Sequence, residues 1–190
     1  MGSRAIPRTA EKVRRPRHSR GFSLLEIMIA LAVIGLLLLA AMSVMSSSSR
    51  LNQSNREQTI AHNAVRAALD NARNREFSRI FALYNGDQAD DPDGPGTAPG
   101  DRFPVEGLVA LPGAPNGMAG RIEFPVQGGA LREDLADAAL EMPHDLNGDG
   151  AIDAADHRSD YTILPVTVTV EWRSVQGPTK FVYRTRFTSR

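Results

Sequence analysis

Gly21-Phe22-Ser23-Leu24-Leu25-Glu26-Ile27-Met28-Ile29-Ala30-Leu31-Ala32 opens the stretch that decides the fold, and the apolar character it starts persists to Met45. From Ile27 to Ser49, 23 consecutive residues carry no charge. At about 1.5 Å per residue they make roughly 35 Å of helix, enough to cross a hydrocarbon core of about 30 Å with some tilt. A buried helix of a soluble core would be shorter and polar on one face. A secretory signal cut near Leu39-Ala40-Ala41 competes too, but its apolar region is normally shorter and holds no acid such as Glu26. Residues 22–45 are therefore expected to stay on the protein as a transmembrane helix.

The flanks orient that helix. Of 22 Lys and Arg, seven fall in residues 1–21 (Arg4, Arg8, Lys12, Arg14, Arg15, Arg17, Arg20) against one acid, Glu11, so this leader carries +6. The remaining 15 bases and 21 acids give −6 from Phe22 onward, which argues against a nucleic-acid-binding surface there. A basic N-terminal flank predicts a cytoplasmic N-terminus, with the bulk of the chain on the far side of the membrane. No cysteine occurs, which excludes disulfides, thiolate metal sites and thiol nucleophiles.

Glu26 needs a reason. A charge inside a membrane costs roughly 2.5 kcal/mol or more, so it usually has a partner or a function. The start of a helix eases that cost, because the N-terminal end favours an anion. Cleavage after Gly21 would add a counter-ion, the new α-amino group of Phe22, one turn before Glu26 or on a neighbouring copy.

Gly21-Phe22-Ser23-Leu24-Leu25-Glu26, after basic residues and before an unbroken apolar run, resembles the N-terminal signature of type IV prepilins and type II secretion pseudopilins. The motif covers about 30 residues, and the rest of the chain agrees in layout alone. The resemblance implies that a prepilin peptidase cuts between Gly21 and Phe22 and methylates Phe22. It also implies that Glu26 neutralises the amino terminus of an adjacent subunit as the apolar helices assemble into a filament. The implied partners are this peptidase, other pilin or pseudopilin subunits and the inner membrane, with the C-terminal domain in the periplasm and then in a pilus or pseudopilus. Many major pilins have a kinking Pro where this chain has Ser43, and a C-terminal cysteine pair that it lacks. A minor pilin or pseudopilin, similar to the minor pilin V or pseudopilin I groups, fits these departures better.

Beyond the span, Ala61, Val65, Ala68, Leu69, Ala72, Phe77, Ile80, Phe81 and Tyr84 recur mostly every three or four residues. That spacing predicts an amphipathic continuation of the helix over 46–85, stopped by Gly86. Two helices broken at the serines 46–49 are the alternative. Between Gly86 and Gly120, 14 of 35 residues are Gly or Pro, so little regular structure is expected there beyond a strand near 103–111. Asp87, Asp90, Asp91 and Asp93 in that stretch read as a solvated loop rather than a cation site. A strand is expected over 121–126 and a short helix over 131–142. Val166, Val168, Val170 and Trp172 alternate with polar residues, as do Phe181, Tyr183, Thr185 and Phe187, which predicts a hairpin joined through 174–179. The expected fold is α+β, a long N-terminal helix packed on a small antiparallel sheet, with residues 86–190 as the exported domain.

Within 145–156, Asp145, Asn147, Asp149, Asp153 and Asp156 stand at positions 1, 3, 5, 9 and 12 of an EF-hand spacing, with Gly150 at 6 and Ala151 at 7 offering a carbonyl. A hard cation needs such a set of oxygens, so a structural calcium ion is expected there. Asp at position 12 is a departure from the helix-loop-helix Glu and resembles dockerin loops. Ile152 is expected to point inward. His144 and His157 flank the loop and read as exposed neighbours, since the Asp oxygens between them suit a hard ion better than zinc. No catalytic motif stands out, and a structural subunit is favoured over an enzyme. A membrane-anchored calcium-binding adhesion or receptor domain that never polymerises is the alternative.

Overall fold

The computed structural model describes residues 21–189, so the leader lies outside the described residues apart from Gly21. The chain forms two compact units that meet between Ser46 and Ser47. Helix α1, Leu24–Arg73, begins in the first unit and ends in the second. It runs without interruption through the serines at 46–49.

In the first unit every described residue is exposed, including Leu24, Ile29, Leu31, Leu36 and Leu39. The most apolar 18-residue window of α1 has a mean hydropathy of 2.8 and none of it is buried. Ser43 is helical and donates its hydroxyl to the Ala40 carbonyl at 2.8 Å, satisfying itself within the turn.

In the second unit α1 behaves as an amphipathic helix, burying Ala61, Val65, Ala68, Leu69 and Ala72. It stops at Arg73, twelve residues short of the expected end. Glu76 is extended (φ −59, ψ 129), and a 3₁₀ turn at Phe77–Arg79 leads into a separate helix α2, Ile80–Tyr84. Tyr161 supplies a reason for the new geometry. Its hydroxyl donates to the Phe77 carbonyl at 2.7 Å and accepts from the Phe81 amide at 3.3 Å, while the Phe77 and Tyr161 rings lie 5.0 Å apart. The apolar spacing runs on because Ile80, Phe81 and Tyr84 are buried as well, on a different helix.

Six strands follow: β1 Arg102–Phe103, β2 Gly120–Glu123, β3 Val126–Gln127, β4 Ala130–Leu131, β5 Ile163–Ser174 and β6 Gly177–Thr188. A four-stranded antiparallel sheet has the order β1-β2-β5-β6, and β3-β4 is a separate hairpin. The β5-β6 pairing runs from Ile163↔Thr188 to Ser174↔Gly177, so the loop shrinks to Val175 and Gln176. Leu164, Val166, Val168, Val170 and Trp172 of β5 are all within 1% of full burial. Each such side chain contributes about 1.5–3 kcal/mol by leaving water. Trp172 also ties the sheet to α1, since its indole N–H donates to the Glu57 carboxylate at 3.0 Å.

Gly120 lets β1 approach β2. A Cβ there would lie 2.3 Å from the Phe103 ring, across the Phe103↔Gly120 pair. The strand expected at 103–111 is reduced to β1 and one bridge, Ala110↔Trp172, and the one expected at 121–126 ends at Glu123 before β3 begins.

No helix forms over 131–142. Its first backbone groups are engaged elsewhere: the Arg132 amide donates to Pro125 at 3.2 Å, Leu131 accepts from His157 at 2.9 Å, and Glu133 accepts from His144 at 3.1 Å. A helix needs those carbonyls for its own i→i−4 bonds.

Candidate processing segment and metal loop

Ser23 caps the start of α1 through its carbonyl, which accepts from Glu26 at 3.0 Å and Ile27 at 3.2 Å. Glu26 is thus in the first turn, where the N–H ends favour an anion. Phe22 precedes the first helical residue, so it stands beside the turn rather than within it. Glu26 is exposed and forms no ion pair among the described residues. Gly21 has neither a positive φ nor anything within 4 Å of a would-be Cβ. The fold itself makes no demand for glycine at that position.

The loop over 145–156 is held by its own side chains. Asp145 accepts from the Gly148 amide at 2.6 Å and the Gly150 amide at 2.8 Å, Asn147 from Asp149 at 3.0 Å, and Asp149 from Ala151 at 2.7 Å. The Gly150 amide foremost holds the Asp145 carboxyl below its usual range, against the opposing pull of desolvation. Gly150 has φ +87, a conformation in which a side chain would be strained.

Two members of the expected ligand set have partners beyond the turn around Gly150. Asp156 accepts from the Leu131 amide at 3.1 Å and pairs with the Arg158 guanidinium at 2.6 Å. Asp153 accepts from Ala155 at 2.7 Å and lies 3.2 Å from His157 Nε2. Ile152, expected inward, is 51% exposed. The inward place is taken by Leu146, which is fully buried and whose carbonyl accepts from the amides of Thr162 and Ile163.

Two residues depart from the sequence reading. His157 is 4% exposed rather than a surface neighbour. Glu133, which drew no attention in sequence, is 1% exposed and accepts from the amides of Leu146 at 2.6 Å, Asn147 at 3.1 Å and Asp153 at 3.3 Å. One buried carboxylate therefore grips the loop at both ends. The only sequence signal was an acid two residues after a strand-ending Leu, which is too common to notice. Burial lowers the pKa of His157, but the Asp153 hydrogen bond and the charges of Glu133 and Asp160 outweigh it, and the net shift is upward.

No curated protein and no solved structure matches the chain. Residues 16–42 match the family model described as the prokaryotic N-terminal methylation motif. That stretch contains Gly21, Phe22 and Glu26 together with the exposed apolar start of α1. The chain is thus a membrane-anchored protein, with one helix long and apolar enough to cross a membrane among the described residues, bearing the methylation motif characteristic of type IV pilins and pseudopilins.

Proposed function

We propose that the chain is a minor pilin or pseudopilin, a structural subunit of a type IV pilus or type II secretion filament. Prepilin peptidase removes residues 1–21 and methylates Phe22. Glu26 then meets the amino terminus of an adjacent subunit during assembly at the inner membrane. The carrying observation is the motif match over 16–42, on a helix whose apolar residues are exposed among the described residues. Among the described residues, Glu26 has no ion partner and nothing lies within 4 Å of a Cβ at Gly21, and both support the same reading. Mass spectrometry of the mature N-terminus tests it. A chain beginning at methylated Phe22 is expected, and one beginning at Met1 or after Ala41 overturns it.

The same reading includes a structural calcium ion held by Asp145, Asn147, Asp149, the Ala151 carbonyl and Asp156, with Asp153 in the outer position that often works through water. The spacing and the turn geometry at Gly150 support it. An ion bound only by the folded state stabilises it by about 2.7 kcal/mol at a hundredfold excess over Kd. The full chain in detergent should unfold at a higher temperature with millimolar calcium than with chelator. Asp149→Ala should abolish the difference and Asp91→Ala should keep it. Equal midpoints for the wild type would remove calcium from the reading.

A further inference from the structure

Behind the loop, Glu133, Asp153 and His157 bring one ligand atom each to within 4.8 Å of one another. His157 Nε2 lies 3.2 Å from Asp153 Oδ1 and 3.7 Å from Glu133 Oε2. On the other side of the ring, Nδ1 lies 3.2 Å from Asp160 Oδ1. A proton on Nδ1 directed at Asp160 leaves the Nε2 lone pair facing two carboxylate oxygens. Either a second proton on Nε2 or a metal ion must then sit among the three, and the two alternatives compete for the same lone pair.

We propose that Glu133, Asp153 and His157 form a binding site for a first-row divalent transition metal ion of the zinc class. A tetrahedral site with arms of about 2.0 Å has ligand-to-ligand edges of about 3.3 Å, and the two measured separations from Nε2 bracket that figure. The donor set of one imidazole nitrogen and two carboxylate oxygens suits zinc or cobalt, whereas calcium takes oxygen ligands. Asp160 supplies the carboxylate that commonly orients a metal-binding histidine through its second nitrogen. Glu133 is held ready, since three backbone amides fix its carboxylate before any ion arrives. Asp153 has 53% of its side chain exposed, which gives the ion a route in and leaves room for a water as fourth ligand. The site shares Asp153 with the proposed calcium set but needs none of Asp145, Asn147 and Asp149, and it does not depend on the filament reading.

The test uses the untagged full chain in detergent, stripped with chelator and titrated with Co²⁺ and with Zn²⁺. One equivalent should bind. The Co²⁺ form should show visible d–d absorption and a paramagnetically shifted imidazole N–H resonance, a signal that a salt bridge cannot give. Asp153→Asn and His157→Gln, which keep size and polarity, should each weaken binding more than tenfold. Asp160→Asn should weaken it by about 10- to 100-fold. Asp145→Asn and His144→Ala should leave the affinity unchanged, and millimolar calcium should not displace the bound ion. Absence of a saturable equivalent, wild-type affinity in Asp153→Asn and His157→Gln, or loss of binding in Asp145→Asn or His144→Ala would each overturn the assignment.

Discussion

Leu36 and Leu69 belong to one helix, yet the first is 69% exposed and the second 5%. Both are good helix formers, so propensity does not separate them. Their surroundings do. Around Leu69 the polar residues Arg66, Asp70 and Arg73 occupy the solvated side while Val65, Ala68 and Ala72 are buried in the core. Around Leu36 there is no polar side at all, and its neighbours on the helix are exposed among the described residues. A helix turn that is apolar all round needs a nonaqueous partner, and lipid or the like helices of other subunits meet that need.

The sharpest way to break this comparison acts before assembly begins. Replacing Gly21 with Arg puts bulk and charge where no atom of the described residues lies within 4 Å of a Cβ. The expected outcome is accumulation of the full 190-residue precursor in the membrane fraction, seen by immunoblot and intact mass. Normal maturation of Gly21→Arg would show that the glycine serves no protease. Glu26→Ala should behave in the opposite manner, maturing normally but failing to enter filaments. Filament incorporation at wild-type levels would remove the counter-ion role.

Truncating each leucine sharpens the contrast. Leu69→Ala should destabilise the globular unit by about 2–5 kcal/mol, since it empties a packed site. Leu36→Ala removes the same atoms from a residue without internal neighbours, and the thermal midpoint in detergent should not move. Equal shifts for the two variants would mean that the anchor packs on its own domain. A smaller loss, about 1–3 kcal/mol, is expected for Gly120→Ala, where the new methyl meets the Phe103 ring. Phe103→Ala in the same chain should recover part of that loss, and additive losses would rule out the clash.

The parts of this fold legible in sequence were those with a repeating period. The span, the amphipathic half of α1 and the β5-β6 hairpin all write their burial into spacing, and the α+β arrangement followed from them. What escaped was determined by single long-range bonds. Tyr161 redirects the chain at Phe77 from 84 residues away. The residues after Leu131 look helical by composition, but His144 and His157 claim the Glu133 and Leu131 carbonyls. Glu133 was missed for the same reason. At the N-terminus, by contrast, a contiguous motif drew attention to Gly21, Phe22 and Glu26, and the family-model match over 16–42 spans these residues, while their roles in cleavage, methylation and assembly stand as proposals.

The smallest expected effect tests how the buried half of α1 is held to the sheet. Glu57 lies on the helix and accepts from Trp172 Nε1, and the Ser174 hydroxyl, Trp172 and Gln53 together hold its carboxyl below the ordinary value of 4.5 in spite of some burial. A carboxyl with a depressed folded pKa stabilises the fold fully above its unfolded pKa, and that contribution fades as pH falls through the folded value. Glu57→Gln keeps an acceptor for Trp172 but removes the charge, at a cost of about 1 kcal/mol near neutrality. The stability gap between wild type and Glu57→Gln should therefore be constant from pH 7 down to about the unfolded pKa and close below it. Chemical unfolding of the two proteins in detergent, in steps from pH 7 to 3, measures this gap. A gap that stays flat to pH 3 would show that the charge on Glu57 contributes nothing, leaving Trp172 to be held by packing and a neutral hydrogen bond.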